Sequence, residues 1–316
     1  MGADPQQAWA SACAPTPTLL RRERESKAIP SMHRRHLLTL PLLALALAGQ
    51  ARAATPRRVV SLGGVVTEIV HALGADERLV GVDQSSLYPP EARALPQVGY
   101  FRSFAVEGVL SLRPDLVLAS EQSGPPHALE QLRAAGVPVV LVASSPKVGA
   151  LESAIDAVAA ALALDADGLA RARRLHEALE EAVRPVSHGG KPPRVLILSS
   201  HTGRLQAAGQ GSAPDALLTL AGGANAFGQP GYKAVSAETV AAARPEAILT
   251  STLSIKAAGG LAGFAAQPGI AMTPAGREKR IIVLDDLLLL GFGPRLPQAL
   301  AQVRAGLFDA PARHAS

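Results

Sequence analysis

The chain has 316 residues, a formal net charge of +5, 48% hydrophobic and 3% aromatic residues and a single cysteine. Its length allows one large or two medium domains, and most of its charge sits at the amino terminus: residues 1–53 hold seven Lys/Arg and three Asp/Glu, a net of +4, which leaves +1 for the remainder. Near-neutrality beyond residue 53 argues against a nucleic-acid surface, and because Cys13 and Trp9 both precede that point the remainder has no cysteine for a disulfide, a thiolate metal site or lipid attachment.

Residues 1–53 read as a leader. From Met32, His33-Arg34-Arg35 form a basic start, Leu37 to Gly49 an apolar run too short to span a bilayer, and Ala51-Arg52-Ala53 the small residues that a signal peptidase requires. Residues 1–31 lack pattern and read as an extension upstream of the true start, so the signal peptide covers 32–53. Arg34-Arg35 also loosely resembles a twin-arginine signal, although a simple basic n-region accounts for it. The expected product is an exported soluble protein.

From Arg57 onward, short apolar runs alternate with stretches of helical period, the pattern of βαβ units with largely parallel sheets. Strands are predicted at Val59–Leu62, Leu79–Val82, Leu116–Ala119 and Val137–Val142, then at Val195–Ser199, Ala247–Thr250 and Ile281–Leu284. Between the two groups, Leu151, Ile155, Val158, Ala159 and Leu162 fall on one face of a helix, and a second helix is predicted from about Gly168 to Arg184. The expected architecture is α/β, with two Rossmann-like lobes around central parallel sheets. Their boundaries are an N-terminal lobe at 57–147, a long rigid bridging helix at 148–165 and a C-terminal lobe at 166–316.

The two halves echo one another. Ala105-Val106-Glu107-Gly108-Val109 followed by Arg113-Pro114-Asp115-Leu116 matches Ser236-Ala237-Glu238-Thr239-Val240 followed by Arg244-Pro245-Glu246-Ala247. In each, a glutamate stands seven residues before a Pro-acid pair that leads into a strand, which favours duplication of one lobe and a cleft between the copies.

Enzyme signatures are poor. No H-E-x-x-H or G-x-S-x-G occurs, and Gly63-Gly64 lacks the third glycine of a dinucleotide fingerprint, so it reads as a tight strand-to-helix turn and disfavours a Rossmann-type oxidoreductase. The histidines after residue 53 are scattered singly, and no cleft cluster for a divalent-metal receptor can be assembled from them. His201, just after a strand, is the one that could face a cleft. Tyrosine is more informative: Tyr88, Tyr100 and Tyr232 all lie in Gly- or Pro-rich loops, where α/β lobes bind their ligands. A phenolate is a hard anionic oxygen suited to ferric iron, and tyrosine is a known axial haem ligand.

The runs Val80-Gly81-Val82-Asp83-Gln84-Ser85-Ser86-Leu87-Tyr88-Pro89, Val98-Gly99-Tyr100-Phe101-Arg102, Glu121-Gln122-Ser123-Gly124-Pro125-Pro126, Gly231-Tyr232-Lys233 and Gly291-Phe292-Gly293-Pro294-Arg295 resemble the periplasmic haem-binding receptors of bacterial haem-uptake ABC transporters. The likeness covers residues 57–308 and lies within the wider class of cobalamin and ferric-siderophore receptors, which are the alternative reading. It implies a periplasmic protein, not an enzyme, that carries haem b as ferric hemin, with Tyr88 as the axial ligand of the iron.

It further implies that Glu107 and Glu238 dock onto the membrane permease, which works with its ATPase, and that the receptor is a monomer without nucleic-acid partners. Some members of that family carry a basic residue two positions after the ligand tyrosine, where this chain has Pro90. Support for the phenolate or the haem propionates is then sought in Arg102, Lys233 and Arg295. Tyr232 is placed across the cleft, and Phe101, Phe104 and Phe292 contribute apolar walls.

Overall fold

The computed structural model describes residues 55–186, 189–200 and 204–309. The expected leader, and with it His188, His201 and His314, lies outside the described residues.

The first half builds β1 (Val59–Leu62), α1 (Gly64–Ala72), β2 (Leu79–Val82), α2 (Val106–Ser111), β3 (Leu116–Ser120), α3 (Pro126–Ala134) and β4 (Val139–Val142). Its four strands pair in the order β2-β1-β3-β4, all parallel. Because strand side chains alternate between faces, Val59, Leu116 and Leu118 join one core while Val60, Leu62, Val117 and Ala119 join another beneath α2 and α3. The sheet is thus covered on both sides, and its strands read as nearly continuous apolar runs, interrupted in β1 by the buried Ser61. β4 begins at Val139 and not at Val137. Pro138 has no N–H for the ladder, and its carbonyl accepts from Val117 N at 2.9 Å.

Two helices, α4 (Val148–Ala161) and α5 (Ala166–Ala182), carry the chain to the second sheet. Leu151, Ile155, Val158, Ala159 and Leu162 are all buried, none more than 4% exposed, as their spacing requires. The helix does not run on to residue 165: Leu162 caps it, Ala163 turns with φ 46°, and the Asp165 side chain accepts from Gly168 N at 3.0 Å to start α5.

The second half contains β5 (Arg194–Ser199), β6 (Gln206–Ala208), α6 (Ala213–Ala221), β7 (Ala224–Asn225), β8 (Tyr232–Ala234), α7 (Ala237–Ala242), β9 (Ala247–Ser251), α8 (Thr252–Ala257), α9 (Leu261–Ala265), α10 (Pro268–Ala271), α11 (Pro274–Arg277), β10 (Ile281–Leu284), α12 (Asp286–Leu290) and α13 (Leu296–Phe308). Its sheet has the order β10-β9-β5-β6-β8, with β7 beside β5. Its centre is parallel as expected, through β10, β9, β5 and β7, and β6, antiparallel to both β5 and β8, extends it at one edge.

α4 packs on α1, β4 and α5, and α13 packs on α5 and α6. One continuous core therefore runs from Val59 through Ile155 and Leu179 to Leu300, across both sheets. The sequence repeat marks the same joint twice. Asp115 accepts from the amides of Arg57 and Arg58 at 2.8 and 2.9 Å where β1 starts, and Glu246 accepts from Arg194 N at 3.4 Å where β5 starts. Arg113 and Arg244, with φ 46° and 45°, make the same left-handed turn before β3 and β9.

Candidate functional site: a cleft between the two sheets

In a parallel sheet of order β2-β1-β3-β4 the chain reverses its winding between β1 and β3, and ligands bind outside the carboxyl ends of strands at such a point. β1 ends there in Gly63-Gly64. Gly63 has φ 116°, which a side chain rarely tolerates, and a Cβ on Gly64 would stand 2.3 Å from the carbonyl oxygen of Ser85. The pair is the tight turn its sequence suggests, and it lets the Ser85 loop lie directly against the start of α1.

Asp83, fully buried, holds that loop. Its Oδ1 accepts from Gly63 N and Ser86 Oγ, both at 2.9 Å, and its Oδ2 accepts from Ser85 N at 2.9 Å and Phe101 N at 3.2 Å. Thr67 Oγ1 links the network onward to Ser86 Oγ at 2.6 Å and Ser61 Oγ at 2.7 Å. One carboxylate thus fixes the β1–α1 turn, the tyrosine loop and the loop of Tyr100 to Arg102. Its role is not visible in the expected site residues. The Asp83-Gln84-Ser85-Ser86 string, an acid followed by hydroxyls that bond the local backbone, is the signal for it.

These loops form one side of a cleft of about 690 Å³, within the range of small-molecule sites, and the second sheet forms the other side. Gly63, Leu87, Tyr100, Phe101, Arg102 and Gln122 face Ser199, Gln206, Tyr232, Asp286, Leu290 and Phe292. Of the residues expected at the site, Phe101, Arg102, Tyr232 and Phe292 are in these walls. Tyr88, Lys233 and Arg295 are not, although Leu87 beside Tyr88 is. Tyr100 is a wall residue to which the sequence reading assigned no role; its ring meets Phe101 edge-on, with centroids 4.8 Å apart. Phe104, by contrast, is 5% exposed and belongs to the core.

The walls are nearly neutral. Arg102 is their one cation and Asp286 their one carboxylate among the described residues. Arg102 bonds Gln122 Oε1 and lies over the Phe101 ring at 4.9 Å. Asp286 Oδ2 accepts from Thr252 Oγ1 at 2.7 Å and Leu253 N at 3.0 Å, while its buried Oδ1 has no partner. Desolvation pushes the Tyr232 phenol above the ordinary tyrosine value and Arg102 draws it back in part, so Tyr232 enters the cleft as a neutral hydroxyl.

Tyr88 is 39% exposed and is met by the Arg295 guanidinium, 3.5 Å from its ring centroid. Arg93 Nε donates to the Leu87 carbonyl at 3.0 Å and steadies the loop from the other side. Glu107 and Glu238 are both exposed, each in the first turn of its short helix, α2 and α7. Ser236, with the backbone amide at Glu238, holds the Glu238 carboxyl below its ordinary value. No group of three or more His, Cys, Asp or Glu able to hold a metal ion occurs among the described residues, and none of their helices is long and apolar enough to cross a membrane.

A family model described as a periplasmic binding protein matches residues 59–288. Among solved structures, the periplasmic haem-binding protein RhuT from Roseiflexus sp. RS-1 is 42% identical, covering 80% of this chain and 98% of that one with a TM-score of 0.73. The periplasmic haem-binding protein BhuT, solved in complex with two haems, is 43% identical with the same coverage and TM-score. Among curated relatives, the vitamin B12-binding protein of Pectobacterium carotovorum is 42% identical over 87 residues, which is 28% of this chain and only 32% of that protein's length.

Proposed function

Because this chain belongs to the periplasmic binding protein family, we infer that its cleft takes up one class of small molecule without turnover and that the cargo is ferric haem, handed on to an inner-membrane ABC importer. The observation that carries this reading is the likeness over nearly the full length of two haem-binding structures, at 42% and 43% identity, joined to the cleft's own chemistry. Its walls are largely aliphatic and aromatic, with hydroxyls, two glutamines, one guanidinium and the Asp286 carboxylate. That suits a flat apolar ring carrying anionic groups at its edge.

In this reading Tyr88 ligates the iron, Arg102 meets a propionate, and Tyr232 donates a hydrogen bond from the opposite wall. Phe101 and Phe292 pack against the porphyrin. Tyr88 stands beside the wall residue Leu87 and outside the wall itself, so its role rests on the resemblance to haem-binding receptors. A monomeric receptor in the periplasm then presents Glu107 and Glu238, one from each half, to a permease driven by its ATPase.

Titrating the purified protein with hemin tests the reading. A saturable ferric-tyrosinate spectrum is expected, and Tyr88→Phe should remove it. Uptake with unaltered colour in that variant would overturn Tyr88 as ligand, and no uptake at all would overturn haem as cargo. The partial match to a vitamin B12-binding protein makes cobalamin the second reading, and competition between cobalamin and hemin separates the two.

A further inference from the structure

We propose that Asp286 is a specificity-determining residue of the cleft: its uncompensated negative charge keeps carboxylates off the second-half wall, so that an anionic ring enters with its acidic edge turned to the first half. The proposal deepens the haem reading and rests on it for the cargo, while the sign of the field belongs to the walls alone.

Two adjacent acids divide the tasks at the start of α12. Asp285 caps the helix: its Oδ1 accepts from Leu287 N at 3.1 Å and Leu288 N at 3.2 Å, and Arg295 Nη2 donates to it at 3.3 Å. The same guanidinium donates from Nε to Glu68 Oε1 of α1 at 3.0 Å. Asp286 has no cation of this kind among the described residues. Its Oδ2 accepts only from neutral groups, Thr252 Oγ1 and Leu253 N at the start of α8, and its Oδ1 has no partner at all. At 8% exposure the side chain is also nearly shut off from water. An asparagine would accept from Thr252 and Leu253 as a carboxylate does, so the local fold does not call for a charge at this position.

A charge that neither water nor a cation neutralises acts at range: two unit charges about 10 Å apart in an effective dielectric of about 20 still interact by more than thermal energy. The walls give that charge a direction. Beside Asp286, Ser199, Gln206, Ser212 and Tyr232 offer neutral dipoles, and burial keeps the Tyr232 phenol protonated. Facing them is Arg102, the walls' one cation among the described residues, with the neutral Gln122 as its side-chain partner. The field therefore runs across the cleft from Arg102 to Asp286, and a molecule with carboxylates on one edge has one favoured way round. The class selected is an apolar ring with its acidic groups confined to one edge. A ring with acids all round its rim would always set one against Asp286, whereas neutral amides would be tolerated.

Asp286→Asn tests this, because it removes the charge at constant size and keeps an acceptor for Thr252 and Leu253. Hemin and its dimethyl ester, which differ in the two carboxylates, are the probes. The variant should bind hemin about three- to tenfold tighter and the ester as the wild type does. Thr252→Val, which removes one bond to Asp286 and keeps the charge, should leave the hemin-to-ester ratio alone. A lowered melting temperature in Asp286→Asn with that ratio unmoved would reduce Asp286 to an anchor for α8 and overturn the proposal. Hemin bound more weakly by Asp286→Asn would overturn it too, and so would an equal rise of the ratio in Thr252→Val, since loosening and not charge would then be the cause. Should Asp286→Asn not fold, the ratio in Asp286→Ser decides in its place. A wild type that takes up neither porphyrin sinks the haem reading alone. The comparison then passes to cobalamin, whose rim carries neutral amides, and its monocarboxylic acid: an acid that gains nothing on the amide form in Asp286→Asn overturns the charge selection.

Discussion

Asp83 takes the amide of Phe101, 18 residues further along the chain, on the same carboxylate that holds Ser85 and Gly63, so the cleft's two aromatic loops are set by one side chain. A fully buried acceptor with four donors is costly to remove, since each donor left unpaired loses about 1–3 kcal/mol. Asp83→Ala should therefore destabilise the protein by about 3 kcal/mol or more, read from urea unfolding, and weaken hemin binding in whatever fraction remains folded. A loss under about 1 kcal/mol would mean that the loops hold themselves.

The two exposed glutamates lead to a different expectation. Glu107→Lys with Glu238→Lys lies away from the cleft and should leave the hemin titration as it is. In liposomes carrying the cognate importer, the same pair should cut transport by about tenfold or more, because each docking contact becomes a like-charge clash. The depressed Glu238 carboxyl is ionised at every working pH, so the effect should not fade between pH 6 and 8. Transport at the wild-type rate would remove both residues from the docking surface.

His71, on α1, has its Nε2 buried without a partner, and burial lowers its pKa although Asp76 and Glu91 pull the other way. The native state then prefers neutral imidazole, while the unfolded chain takes up a proton near pH 6.5. Stability should fall as the pH drops through that value and level off once the native imidazole is also protonated. Melting curves from pH 7.5 to 4.5 check this. His71→Gln should decline less steeply than the wild type over that window, and parallel curves would mean that the ring is not desolvated.

How much of this was legible beforehand follows from what each residue reports about itself. β1, β2, β3, β5, β9 and β10 are apolar on both faces, so each announces a buried strand without help from its neighbours. β6 and β8 do not. Gln206-Ala207-Ala208 is three residues long and Tyr232-Lys233-Ala234 is exposed throughout, so their pairing comes only from β5 being already in place. The repeat was readable because Arg-Pro-acid does a local task, capping the strand that begins each half. The pairing of Glu68 with Arg295 was not, because 227 residues separate them and neither has a local pattern that names the other.

The same limit applies to the tyrosines, which sequence can nominate but not rank, and here the structure separates them. Tyr232 stands in the cleft wall, and desolvation raises its phenol above the ordinary value despite the nearby Arg102. At neutral pH it is a proton donor and a poor source of phenolate. Tyr88 stands on the adjoining loop under Arg295. If their tasks divide accordingly, Tyr232→Phe should keep the ferric-tyrosinate band and lose affinity for hemin by about three- to tenfold, the worth of one hydrogen bond of about 1 kcal/mol. Tyr88→Phe should lose the band altogether. An inverted result, with the band surviving Tyr88→Phe and vanishing in Tyr232→Phe, would move the iron to the second half of the molecule.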